Sequence, residues 1–174
     1  MLILITGGSK SGKSSLAETI ITSYDTKRYY IAAMQPFGEE ALAAIKRHKA
    51  MRSEKHFETI EQYTDIQNVC VQNKSAVLLE CIGNLCANEM FENNIDNPTP
   101  KILYGIKKLS EQSEILVVVT NQVGEDGAVY NDGTMRYIEN MGRLNRELSS
   151  AADCVIECVY GIPIILKGEN PLCR

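Results

Sequence analysis

Near the amino terminus, Gly7-Gly8-Ser9-Lys10-Ser11-Gly12-Lys13-Ser14 follows the spacing G-x-x-x-x-G-K-[ST]. Each residue type there suits the cradling of a phosphate. Glycines let backbone N–H groups turn inward around an anion, where side chains would obstruct them. A helix opening at Lys13 aims its positive end at the same anion. The Lys13 ammonium can reach the β- and γ-phosphates of a nucleoside triphosphate, and the Ser14 hydroxyl can ligate Mg2+. Such a loop needs an acidic partner for magnesium at the end of another strand. Val77-Leu78-Leu79-Glu80-Cys81 supplies Glu80 at the end of an apolar run, where an unpaired charge is costly. An isolated glutamate there would simply emerge into water; beside a phosphate loop the magnesium-linked role is the better reading. These residues indicate ATP or GTP and leave the reaction open.

A second group with chemical potential is His48, set in Lys46-Arg47-His48-Lys49 with Arg52 one helical turn on. Positive neighbours disfavour imidazolium, so a histidine here tends to stay neutral and nucleophilic. The same cations attract polyphosphate. A neutral imidazole among them can accept a phosphoryl or nucleotidyl group. The residues alone leave a second reading open, an incidental histidine on a solvated basic helix face. The other histidine, His56, has no comparable setting and reads as surface or loop.

The elements that must hold these groups alternate between strand and helix. Leu2 to Thr6 is a short continuous apolar run, as in a strand covered on both faces. Lys13 to Tyr24 reads as a helix with Leu16, Ile20 and Ile21 on one face. Tyr29 to Met34 is a second strand, and Glu39 to Arg52 a helix with Ala41, Leu42 and Ile45 along its apolar stripe. Val77 to Cys81 and Ile115 to Thr120 are further strands. Two helical stretches lie between them, parted by the Asn- and Pro-rich segment 93–100. Gly133 to Ala152 is a long helix. Cys154 to Tyr160 and Ile162 to Lys167 form a closing hairpin around Gly161. This order predicts an α/β fold with a mostly parallel sheet. The loop from Val123 to Asp132, with Gly124 and Gly127, is the best candidate for a mobile segment near a site.

Size and composition bound the rest. At 174 residues the chain is expected to form one domain spanning residues 1–174. Lys and Arg number 18 against 22 Asp and Glu, a formal charge of −4, which disfavours bulk attraction to nucleic acid or an anionic membrane. No apolar run approaches the roughly 20 residues of a membrane span, and no basic leader precedes Gly7, so a cytoplasmic location is expected. The six cysteines, Cys70, Cys81, Cys86, Cys154, Cys158 and Cys173, form no C-x-x-C pair and have no zinc spacing. They read as small buried thiols, with Cys154 and Cys158 on one face of a strand.

Taken together the segments are similar to one family. Ile3 to Ser14, Tyr30-Ile31-Ala32-Ala33-Met34, and Ile45-Lys46-Arg47-His48-Lys49 followed by Arg52, Thr59 and Glu61 resemble the bifunctional adenosylcobinamide kinase / adenosylcobinamide-phosphate guanylyltransferase family of cobalamin biosynthesis. So do Leu78-Leu79-Glu80-Cys81-Ile82, Val119-Thr120-Asn121 with Val123-Gly124, and Gly142-Arg143-Leu144-Asn145 with Ala151-Ala152-Asp153. The likeness runs in order through nearly the whole chain. Gln122 stands where that family commonly has Glu, Ile138 where it has Arg, and Phe57 where it has Trp.

The resemblance implies a three-layer, P-loop NTPase-type domain with a C-terminal β-hairpin, and two reactions. A nucleoside triphosphate phosphorylates adenosylcobinamide, and GTP guanylylates the product through a guanylyl-histidine. By position, His48 is the implied nucleophile and Gly7 to Ser14 the phosphate loop. Ala32, Ala33, Met34, Lys49, Ala50, Met51, Arg52, Glu61 and Glu80 fall on nucleotide-contacting positions, and Lys13 and Glu80 join His48 as catalytic. Ser14 and Glu80 are the implied Mg2+ ligands, and a homo-oligomer, a trimer, is the implied assembly. A kinase for another small substrate, or a nucleotide-binding paralogue without turnover, are the rival readings.

Overall fold

The computed structural model describes residues 1–52 and 54–173, without the side chains at 40, 41, 44, 48 and 51. The apolar run Leu2–Thr6 is strand β1, with Ile3, Leu4 and Ile5 buried on both faces. Helix α1 (Lys13–Thr22) follows the glycine-rich turn and carries the chain to β2 (Arg28–Ala32). Then come α2 (Gly38–Arg52), β3 (Phe57–Glu61), a short 3-10 turn (Ile66–Asn68) and β4 (Ser75–Glu80). Helices α3 (Ile82–Phe91) and α4 (Thr99–Gln112) lead to β5 (Ser113–Val119), and α5 (Asp132–Ala151) leads to β6 (Cys154–Val159) and β7 (Ile162–Lys167).

The strands form one seven-stranded sheet in the order β3-β2-β4-β5-β1-β6-β7. All neighbours are parallel except β6 and β7, which pair as an antiparallel hairpin. Helix α1 packs over β4 and β5 on one face. There Ala17, Ile20 and Ile21 meet Ile3, Ile5, Leu78 and Val117. Helices α3, α4 and α5 cover the other face through Leu85, Ile106 and Leu144 against Leu4, Leu79 and Val118. This three-layer arrangement explains why β4 and β5 read as continuous apolar runs rather than alternating ones. No helix among the described residues is long and apolar enough to cross a membrane.

Three expectations need correction. Phe57–Glu61 does not read as a strand in the sequence, because only Phe57 and Ile60 of this edge strand are even partly buried. Helix α2 does not bury the predicted stripe: Leu42 is 52% exposed and Ile45 half-buried, while the side chain of Ala41 lies outside the described residues. The cysteines also divide, with Cys81, Cys86, Cys154 and Cys158 buried and Cys70 and Cys173 exposed.

A buried carboxylate fastens the β3–β4 connection to the helical layer. Glu89 of α3 is fully buried and accepts hydrogen bonds from Lys101 Nζ at 2.7 Å, Asn93 Nδ2 at 2.8 Å and the Asp65 amide at 2.7 Å. Lys101 also pairs with Asp65 at 2.7 Å. Removing one member of a buried, hydrogen-bonded pair strands the others without water. Glu89→Ala is therefore expected to lower stability by about 3–5 kcal/mol, read as a shift of the urea midpoint at unchanged slope.

Candidate active site

The functional groups collect beyond the carboxyl ends of the parallel strands, where open α/β sheets bind ligands. Register alone aligns three of them: Ala32 of β2 lies opposite Glu61 of β3 on one side and Glu80 of β4 on the other. Gly7 to Gly12 leave the end of β1 and pass directly into α1. Gly12 sits in left-handed backbone at φ 101° as the N-cap, and no side chain caps the helix. The first amides of α1 are thus left for a ligand.

Two glycines of this loop are required by geometry. Gly7 has φ 139°, and a Cβ there would lie 2.4 Å from the Cys158 carbonyl oxygen. A Cβ on Gly12 would stand 3.2 Å from Gly161 Cα and 3.4 Å from Cys158 Sγ. The loop rests on the β6–β7 hairpin, since the Gly161 amide donates to the Ser11 carbonyl at 2.7 Å and Cys158 Sγ donates to it at 3.1 Å. Cys158 therefore supports the phosphate loop, which the even spacing with Cys154 could not reveal.

Lys13 is buried and donates from Nζ to the carbonyls of Gly7 at 2.9 Å and Gly8 at 2.6 Å. Burial holds its ammonium below the ordinary lysine pKa, against an opposing pull from Cys81, Cys158 and Glu80. Ser14 Oγ donates to Glu80 Oε1, and the Tyr30 hydroxyl donates to Glu80 Oε2 at 3.0 Å. Burial first, and then the Glu80 charge, push the Tyr30 hydroxyl well above its usual pKa, so it remains a donor. The Arg52 guanidinium lies over the Tyr30 ring, with Cζ 3.3 Å from its centroid, a cation–π contact.

These residues line a cavity of about 640 Å³, within the usual range for small-molecule sites. Its wall includes Ser9, Lys10, Ser11, Gly12, Lys13, Ser14, Ala32, Met34, Lys49, Arg52, Glu61 and Glu80, all anticipated from sequence. Tyr30, Arg47, Tyr63, Cys81, Asn84 and Asn121 also line it. Lys49 reaches Glu61 at 3.7 Å, and Tyr63 donates to Glu61 at 2.9 Å.

Five anticipated residues stand elsewhere among the described ones. Ala33 is buried in the opposite core cluster, the Gly7 and Gly8 carbonyls are covered by Lys13, and Ala50 and Lys46 are exposed away from the cavity wall. The side chains of His48 and Met51 lie outside the described residues. Ile45, Arg47, Lys49 and Arg52 of the same helix line the cavity. The Val123 to Asp132 loop contributes nothing to the wall, and Gln122 donates to Glu157 at 2.9 Å instead. Asn121 is positioned by Asn145, which donates to its carbonyl at 3.1 Å and accepts from Thr120 at 2.6 Å.

A glycine-rich loop feeding an uncapped helix, a buried lysine folded over it and a strand-end carboxylate bonded to the loop's serine define a P-loop nucleotide-binding α/β protein. Residues 3–166 match the cobinamide kinase / cobinamide phosphate guanyltransferase family, and the chain belongs to that family. It is 31% identical over 184 residues to the bifunctional adenosylcobalamin biosynthesis protein CobU of Escherichia coli strain K12, covering 96% of this chain and 100% of that protein. The protein of the same name from Salmonella typhimurium strain LT2 is 32% identical with the same coverage. Bifunctional adenosylcobalamin biosynthesis protein CobP of Pseudomonas aeruginosa strain PAO1 is 28% identical over 171 residues, covering 95% of this chain and 97% of that one.

Proposed function

We propose that this chain acts in the cytoplasm on adenosylcobinamide in two steps within one cavity, using ATP or GTP for the first and GTP for the second. In the kinase step the substrate hydroxyl oxygen attacks the γ-phosphorus. The bond from that phosphorus to the β–γ bridging oxygen breaks, the nucleoside diphosphate leaves and the hydroxyl proton is lost to water. In the transfer step a His48 ring nitrogen attacks the α-phosphorus of GTP and pyrophosphate departs with the α–β bridging oxygen. A phosphate oxygen of adenosylcobinamide phosphate then attacks the guanylyl phosphorus. The P–N bond breaks and its electron pair returns to the imidazole, giving adenosylcobinamide-GDP. Lys13 and the loop amides hold the phosphates, and Arg47, Lys49 and Arg52 offset the charge that pyrophosphate carries away.

The observation that carries this reading is the placement of α2: Arg47, Lys49 and Arg52, which flank position 48 in the sequence, line the same cavity as the phosphate loop and Glu80. Ser14 Oγ and Glu80 Oε1 are hard oxygen donors already bonded to each other, a set that fits Mg2+, and these two residues would hold it. When bound, the ion offsets negative charge on the phosphate oxygens.

The test is incubation with GTP labelled at the α-phosphate. An acid-labile, base-stable protein adduct that is released on adding adenosylcobinamide phosphate supports the reading. Phosphate transfer without an adduct favours a kinase for another substrate, and nucleotide binding with neither favours a paralogue without turnover.

The assembly belongs to the same reading. On the outer strand β7, Ile162 is 64% exposed, and Ile164 and Leu166 alternate with it on one face. An unpaired edge with an apolar face favours self-association, in keeping with a homo-oligomer and the trimer that the family resemblance implies. Light scattering is expected to give three protomers, and Ile164→Lys is expected to yield monomers.

A further inference from the structure

The environment of Tyr30 gives this buried residue a task of its own. Its hydroxyl donates to Glu80 Oε2 at 3.0 Å while Ser14 donates to Oε1, so both carboxylate oxygens are held from different elements. The ring that carries the hydroxyl is itself fixed. Arg52 covers it at 3.3 Å from the centroid, and Phe57 of β3 meets it edge-on at 6.4 Å and 84°. Tyr30 is 4% and Arg52 6% exposed. A hydroxyl so enclosed is costly without a partner, and here its partner is the carboxylate that faces the phosphate loop.

We propose that Tyr30 is a positioning residue that fixes the carboxylate of Glu80 in the orientation the metal–nucleotide complex requires. Groups hydrogen-bonded to a metal ligand orient it, and their loss costs about 10–100-fold in metal affinity or activity. The inference rests on the reading of Glu80 as the magnesium carboxylate. It goes beyond that reading in assigning the second oxygen's partner and the origin of its rigidity.

Tyr30→Phe removes the hydroxyl and keeps the ring, its stack with Arg52 and its volume. The readout is calorimetric GTP binding with and without Mg2+, which separates metal-assisted from metal-free affinity and needs no turnover. Tyr30→Phe is expected to lose about tenfold of the tightening that Mg2+ provides. Glu80→Gln is expected to lose more of it. If Glu80→Gln loses the tightening and Tyr30→Phe retains it, Tyr30 has no positioning role. If Glu80→Gln retains it as well, the magnesium reading of Glu80 falls, and the inference with it.

Discussion

His48→Ala is expected to abolish covalent labelling by GTP carrying a labelled α-phosphate, a loss of at least about 10³-fold as for other covalent nucleophiles. Nucleotide binding should stay within a few-fold of the unaltered protein, because the phosphate loop belongs to α1 and β1 rather than to α2. Alanine is the best helix former, so α2 loses nothing in local propensity. Phosphorylation of adenosylcobinamide should survive, since no covalent histidine enters that step. The comparison with His56→Ala makes the result specific. His56 is exposed in the turn between α2 and β3 with φ 55°, and its removal should leave labelling intact. Full labelling of His48→Ala would assign the nucleophile elsewhere and reduce Lys46, Arg47 and Lys49 to a solvated basic face.

Lys13→Ala should fail differently, by weakening both reactions. Its ammonium sits between the Gly7 and Gly8 carbonyls, 2.9 and 2.6 Å away, within the short loop whose residues Ser9 to Ser14 line the cavity. Burial already disfavours its charge, so an arriving phosphate relieves an electrostatic cost as well as gaining a donor. Removing one such charged donor typically costs about 10²–10³ in kcat. Both phosphate transfer and guanylyl labelling should fall by that order in steady-state assays. The truncation also leaves two carbonyls without their donor, at about 1–3 kcal/mol for a buried group, so a denaturation curve must accompany the kinetics. A variant that lost only one activity would contradict a shared cavity.

The sequence by itself determined what is local. Within Gly7 to Ser14 the loop glycines, the lysine and the serine are adjacent in the chain, and the buried strand before them with the helix after them follows from continuous apolar runs. Glu80 was legible for the same reason, as the polar end of one such run. The alternating elements were enough to specify an α/β fold with a mostly parallel sheet, and the turn at Gly161 to specify the hairpin.

What only the tertiary structure decided is the partnership of residues far apart in the chain. Ser14 meets Glu80 across 66 positions, Tyr30 meets Glu80 across 50, and Cys158 supports Ser11 across 147. These pairings follow from the strand order, with β2 beside β4 and β6 beside β1. That order reflects which crossovers α1 and α5 make, and no local pattern encodes it. The edge strand β3 escaped detection because an edge buries little, yet its register is what brings Glu61 opposite Ala32. Tyr30 read as one more residue of an apolar strand, and only the place of β2 beside β4 gave its hydroxyl a carboxylate to hold.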